Sequence, residues 1–95
     1  MEFTKTPGRI FAVNAEGHVI AEVTFPLDSE GVASIDHTFV DDSLRGQGVA
    51  DKLMEEAYAF LKNEDLKAKL VCSYAVAWYK RHPEKNDIVV TREDR

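Results

Sequence analysis

Two groups of residues in this chain have the types and spacing to do chemistry. The first is Arg45-Gly46-Gln47-Gly48-Val49-Ala50, a guanidinium and two glycines directly ahead of an apolar repeat at helical spacing. Glycine lets a backbone approach an anion closely, and the first N–H groups of a helix are unpaired at the positive end of its dipole, so a phosphate is the natural ligand. The second group is His37 with Cys72, the one cysteine of the chain. A free thiol is mostly protonated at neutral pH and needs a neighbouring base to attack well. An imidazole can be that base, or can take the proton of an attacking amine directly. The sequence leaves both roles open for His37.

Other chemistries are disfavoured. No Gly-Lys-Ser/Thr follows the glycines, and Asp51 stands where a dinucleotide-binding G-x-G-x-x-G needs its third glycine. His18, His37, His82 and Cys72 do not fall at metal-ligand spacing, so no metal site is expected. Twelve basic against seventeen acidic side chains leave a net charge of −5, which gives no electropositive field for nucleic acid or an anionic membrane. The first residues lack the apolar stretch of a signal peptide, and no run nears the ~20 apolar residues of a membrane span. A cytoplasmic protein is the expectation. With 95 residues the chain makes a single domain over 1–95, whose one modest core leaves any active site shallow and open.

The elements that must carry these residues follow from periodicity. After a polar leader closed by Pro7-Gly8, Arg9 to Val13 and His18 to Phe25 read as a hairpin turning at Ala15-Glu16-Gly17. Val32 to Val40 alternates again, with Ala33, Ile35, His37 and Phe39 on one face, and completes an antiparallel meander. Val49 to Lys62 has the apolar spacing of an amphipathic helix. The run Leu70-Val71-Cys72 has no alternation and reads as an interior strand parallel to Val32–Val40, which makes a β-α-β unit. Ala75 to Arg81 reads as a short helix halted by His82-Pro83. Ile88 to Val90 reads as an edge strand before a charged tail, Thr91 to Arg95.

The strand-loop-helix context of Arg45-x-x-Gly48-x-Ala50 resembles the R/Q-x-x-G-x-G/A loop that grips the coenzyme A pyrophosphate in GNAT-type acetyltransferases. His37-Thr38-Phe39-Val40, Cys72-Ser73-Tyr74 and Tyr79-Lys80-Arg81-His82-Pro83-Glu84 extend the resemblance to the small single-domain GNAT-like proteins of about a hundred residues, over most of Arg9 to Val90. The resemblance implies an α/β (α+β) GNAT-like fold whose two central parallel strands splay apart. It implies a coenzyme A site at Arg45, Gly46, Gln47, Gly48, Val49 and Ala50, with the pantetheine arm in the split against the backbone of Phe39 and Val40. His37 and Cys72 would flank that split, and Tyr79 would protonate the leaving thiolate; the closeness of Tyr74, Trp78 and Tyr79 in sequence equally reads as an aromatic cluster packed on the sheet. Asp41-Asp42 stands where many relatives have a proline.

The resulting expectation is an enzyme moving an acetyl group from acetyl-CoA to an amine acceptor, with backbone N–H groups stabilising the oxyanion. Cys72 is read as a transiently acylated nucleophile activated by His37, because so small a chain has no obvious domain to fix an amine in attack geometry. A non-enzymatic coenzyme A-binding or protein-interaction module is the alternative, and a cysteine-based acyl-CoA thioesterase a weaker one.

Overall fold

The computed structural model describes residues 1–90; the charged tail Thr91 to Arg95 lies outside the described residues. In chain order the elements are β1 (Thr4–Thr6), β2 (Arg9–Val13), β3 (Val19–Thr24), β4 (Val32–Ile35), β5 (His37–Val40), α1 (Val49–Asn63), β6 (Lys67–Leu70) and α2 (Ser73–Arg81), with 3-10 turns at Asp42–Leu44 and Pro83–Ile88. The result is a mixed α/β fold with two sheets. One is antiparallel in the order β1-β2-β3-β5, and the other is the pair β4-β6. Strands β4 and β6 are parallel, in register from Val32 opposite Lys67 to Ile35 opposite Leu70.

Here the structure corrects the sequence reading in one respect that matters for function. Val32 to Val40 is two strands divided at Asp36, not one: β4 joins β6, while β5 leaves it and pairs antiparallel with β3 from Thr24–His37 to Ala21–Val40. Asp36 holds the junction, donating its N–H to the Thr24 carbonyl (3.2 Å) and accepting the Thr24 hydroxyl at Oδ1 (2.5 Å). The break shifts the side-chain phase by one residue. Ala33 and Ile35 point into the core, but beyond Asp36 it is Thr38 and Val40 that turn inward while His37 and Phe39 face outward. A shift of one position exchanges the two faces of a strand.

Three smaller differences concern the edges. The parallel strand is Lys67–Leu70 rather than Leu70–Cys72, and Cys72 becomes the N-cap residue of α2. The expected edge strand Ile88–Val90 is reduced to one bridge between Val89 and Ala68, because the residues after Pro83 wind into a 3-10 turn. The polar leader supplies β1, which pairs with β2 from Thr4–Phe11 to Thr6–Arg9.

Helix α1 closes the core. Its buried stripe, Val49, Leu53, Met54, Ala57 and Leu61, recurs at helical spacing and packs on the inner faces of β2 and β3, where Ile10, Ala12, Ala21 and Val23 are buried. It stops at Asn63. Asp65 then takes the left-handed conformation (φ 59°), and the Leu66 N–H closes back on the Leu61 carbonyl (2.8 Å), which aims the chain into β6. From α2, Trp78 and Tyr79 complete the core, edge to face with ring centroids 4.9 Å apart. Leu53 is fully buried at the centre of this layer. Leu53→Ala is expected to cost roughly 2–5 kcal/mol, read as a lower urea midpoint at unchanged slope.

Candidate functional site

The end of β5 runs into a loop built from short-range bonds. Asp41 caps the 3-10 turn by accepting the Ser43 hydroxyl (2.6 Å) and the Ser43 N–H (2.9 Å), and these bonds hold its carboxyl below the usual carboxylate range. Gly46 (φ 83°) and Gly48 (φ 71°) then take left-handed conformations open to glycine at little cost, and a Cβ built on either meets no atom within 4 Å. Their role here is conformational, and the space beyond them is free. Gly48 is the N-cap of α1 and offers no side chain, so the N–H groups ahead of Lys52, whose own N–H reaches the Gly48 carbonyl (3.1 Å), have no partner within the helix.

Those groups face an open cleft of about 260 Å³, lined by the loop and α1 from Leu44 to Asp51 without Gln47, by Val40 and Asp41, and across from them by Tyr74. Of the residues expected to hold a cofactor, Val40, Arg45, Gly46, Gly48, Val49 and Ala50 line this cleft. Gln47 and Phe39 do not: Phe39 is 39% exposed on the outer sheet face opposite Glu22. Arg45 extends into solvent, where its guanidinium meets Asp42 at 2.5 Å. The donor set of free N–H groups, a nearby guanidinium and open space fits a pyrophosphate.

Beside this cleft, β5 and β6 diverge. The Ile35 carbonyl, last in β4, accepts from the N–H groups of both Val71 (3.1 Å) and Cys72 (2.9 Å), which pins the start of α2 at the root of the split. Cys72 Sγ is half-buried against the Thr38 hydroxyl at 3.6 Å. His37, the adjacent residue, points to the opposite face, where its Nε2 is 4.0 Å from Glu22 Oε1 and its side chain is 56% exposed. The structure thus brings Cys72 to Thr38, and His37 to Glu22.

The two tyrosines divide between the core and the cleft, and for Tyr79 the structure bears out the packing alternative. Tyr79 is buried in the core away from the cleft lining, and its hydroxyl is the one buried side-chain polar atom without a hydrogen-bond partner among the described residues. Burial first, then the Tyr58, Asp87 and Glu55 charges, push its phenol far above the usual range. Tyr74, missed by sequence reasoning, faces the cleft from the first turn of α2. Burial raises its phenol too, with Arg81 opposing and Asp51 adding to the rise. The signal was its place one turn ahead of Trp78: residues four apart share a helix face, and Trp78 packs toward α1.

The fold is that of the GNAT acetyltransferases. A family model described as GCN5-related N-acetyl-transferase matches residues 10–88, so the chain belongs to that family. Similar proteins include Protein NATD1 of mouse and of human, each 36% identical over 76 residues, spanning 79% of this chain and 69% and 67% of theirs. A GCN5-like protein of Staphylococcus aureus, solved by NMR in solution, superposes with a TM-score of 0.76 at 27% identity, covering 94% of this chain and 87% of that one. Tetrahymena GCN5 shares the fold at 13% identity and a TM-score of 0.63, over 92% of this chain and 62% of its own.

Tyr79 yields a test of its role. Its folded-state pKa is raised above the ordinary value of 10.0, so its contribution to stability is fully present below pH 10 and is lost as pH rises beyond it. Tyr79→Phe is expected to flatten the fall in stability above pH 10 and to cost little at neutral pH, because no hydrogen bond is broken. Thermal melts from pH 7 to 11 check both.

Proposed function

We propose that the protein transfers an acetyl group from acetyl-CoA to an amine acceptor, and that the observation carrying this reading is the pairing of an uncapped α1 N-terminus with the split between β5 and β6. Bound acetyl-CoA supplies an activated acyl thioester; the chain supplies its position. The N–H groups at the start of α1 and the Arg45 guanidinium hold the pyrophosphate, and the backbone of Val40 and Phe39 guides the pantetheine arm along the free edge of β5. His37 removes a proton from the amine at the mouth of the split. Tyr74, kept protonated by its surroundings, is the nearer donor to the cleft for the departing thiolate.

The geometry favours direct attack by the amine over a Cys72 relay. The thiol lies against a hydroxyl, and Thr38 is not a base able to activate it, whereas His37 faces the open side from which an acceptor arrives. Cys72 then lines the acyl position.

The experiment is timed release of free thiol from acetyl-CoA with and without a panel of primary amines. Release that requires amine is the expected result. Release without amine would mean hydrolysis, and no release at all would mean a binding module. His37→Ala is expected to lower kcat by 10²–10⁴-fold, as for loss of a general base. Cys72→Ala is expected to retain transfer, and mass spectrometry of a brief reaction without amine to find no acetyl group on the Cys72 peptide. A dead Cys72→Ala variant with an acetylated parent would establish the covalent route instead.

A second expectation concerns the loop. Gly48→Val places a β-branched residue at φ 71° and fills the free space beyond the glycine, so coenzyme A binding should weaken more than in Arg45→Ala, which leaves the N–H donors in place. Titration calorimetry with coenzyme A makes the comparison.

A further inference from the structure

Asp51 is an anomaly in this cleft. It is the third residue of α1 and lines the space where an anion is to be held, so its carboxylate opposes the ligand that the helix N-terminus attracts. The structure shows what it is used for. Trp78 is fully buried, its indole can only donate, and its Nε1–H reaches across from α2 to Asp51 Oδ1 at 2.6 Å. A carboxylate in the first turn usually faces its own helix N-terminus; this one ties two helices together instead.

The segment after α2 completes the arrangement. His82 ends α2 and starts the next 3-10 turn, with Pro83 forbidding further helix, and this reversal folds the imidazole back onto Trp78 with ring centroids 4.1 Å apart. Its Nε2 is then 3.9 Å from Asp51 Oδ1, and its Nδ1 is 3.3 Å from Glu84 Oε2. Among the described residues it is the one basic side chain within 4 Å of the Asp51 carboxylate. Arg81-His82-Pro83-Glu84 therefore has a structural use that the transfer chemistry does not call on.

We propose that Asp51 is a positioning residue for the coenzyme cleft: through Trp78, and with His82 stacked behind the indole, it fixes the first turn of α1 at a set distance from the first turn of α2. The inference rests on the reading of the cleft as the coenzyme A site. Gly48, Val49 and Ala50 stand on one wall and Tyr74 on the other, and Asp51 to Trp78 is the polar contact that joins the two walls. Charge and position then act in opposite directions. The charge of Asp51 repels the ligand, while its oxygen holds the donors that bind it.

Two variants separate these effects. Asp51→Asn keeps an acceptor for the indole, removes the negative charge and puts an N–H2 donor where the second carboxylate oxygen stood, so coenzyme A should bind as tightly as to the parent or several-fold more tightly. Asp51→Ala removes the same charge but leaves the indole without a partner, and binding should weaken at least tenfold. If charge alone mattered, both would tighten binding, so an Asp51→Ala variant that equals or exceeds the parent in calorimetry overturns the proposal. Trp78 is the one tryptophan of the chain, so a single indole N–H resonance reports on the contact. In Asp51→Ala that resonance should move and exchange faster with solvent, and the Gly46, Gly48 and Ala50 amide signals should shift with it in an otherwise folded spectrum. Unmoved loop amides would also overturn the proposal. A parent that fails to bind coenzyme A would count against the cleft assignment alone, and the amide signals would still decide whether Asp51 positions the loop.

Discussion

The architecture depends on one branching carbonyl. At Ile35 the chain must serve two sheets: its C=O takes N–H groups from Val71 and Cys72, while the next residue, Asp36, turns to bond Thr24 on β3. If β5 had continued beside β6, the ladder would be closed and there would be no free edge for an extended ligand. The unmade bonds beyond Ile35 are a cost of folding that, in the reading proposed above, a pantetheine amide chain would recover. The same junction reverses the faces of β5. It turns His37 toward solvent and Thr38 toward Cys72, and so sets which side chains stand on each side of the split.

How much of this was legible in the sequence follows from how each element is encoded. Helix α1 was legible almost to the residue, because an amphipathic stripe of fifteen residues repeats its signal every turn. The loop was legible because Gly46 and Gly48 are needed for their backbone conformation, which composition reveals. The break at Asp36 was not. Alternation of small and apolar residues runs unbroken through Val32 to Phe39, and the phase shift is produced by hydrogen bonds to Thr24, a residue on another strand. Strand β6 was missed by three residues for a related reason: Lys67-Ala68-Lys69-Leu70 is amphipathic and its buried member is only an alanine, whereas Leu70-Val71-Cys72 looks more like an interior strand than it is.

The candidate site shows the same division. The residue types were legible and their facing was not. His37 and Cys72 lie on opposite sides of β5, since adjacent strand residues point opposite ways and the sequence reading had His37 in phase with Ile35. Tyr79 and Tyr74 part ways because a nine-residue helix has two occupied faces. Trp78 and Tyr79 are adjacent and both buried, which requires α2 to be covered on a broad arc by α1, β6 and the turn at Pro83–Ile88, and Tyr74 is left at the end of the helix where that cover stops.

The electrostatics of the cleft fix the kind of binding it can offer. The chain carries a net charge of −5, and around the cleft Asp41, Asp42 and Asp51 outnumber Arg45, which is itself engaged by Asp42. A diffuse positive field therefore cannot gather a polyanion here, and the exposed Arg45–Asp42 pair adds little because water screens it. Attraction must come instead from N–H groups at contact distance, whose partial charges are fixed by the helix and act only where geometry is right. If the cleft is the proposed coenzyme A site, it gives up long-range capture and gains discrimination: an anion lacking that shape would meet the aspartates and no compensating donors. That makes the placement of the first turn of α1 more consequential than the number of cations near it. It is also the physical reason that a carboxylate can be tolerated at Asp51, where what it contributes to position outweighs what it costs in charge.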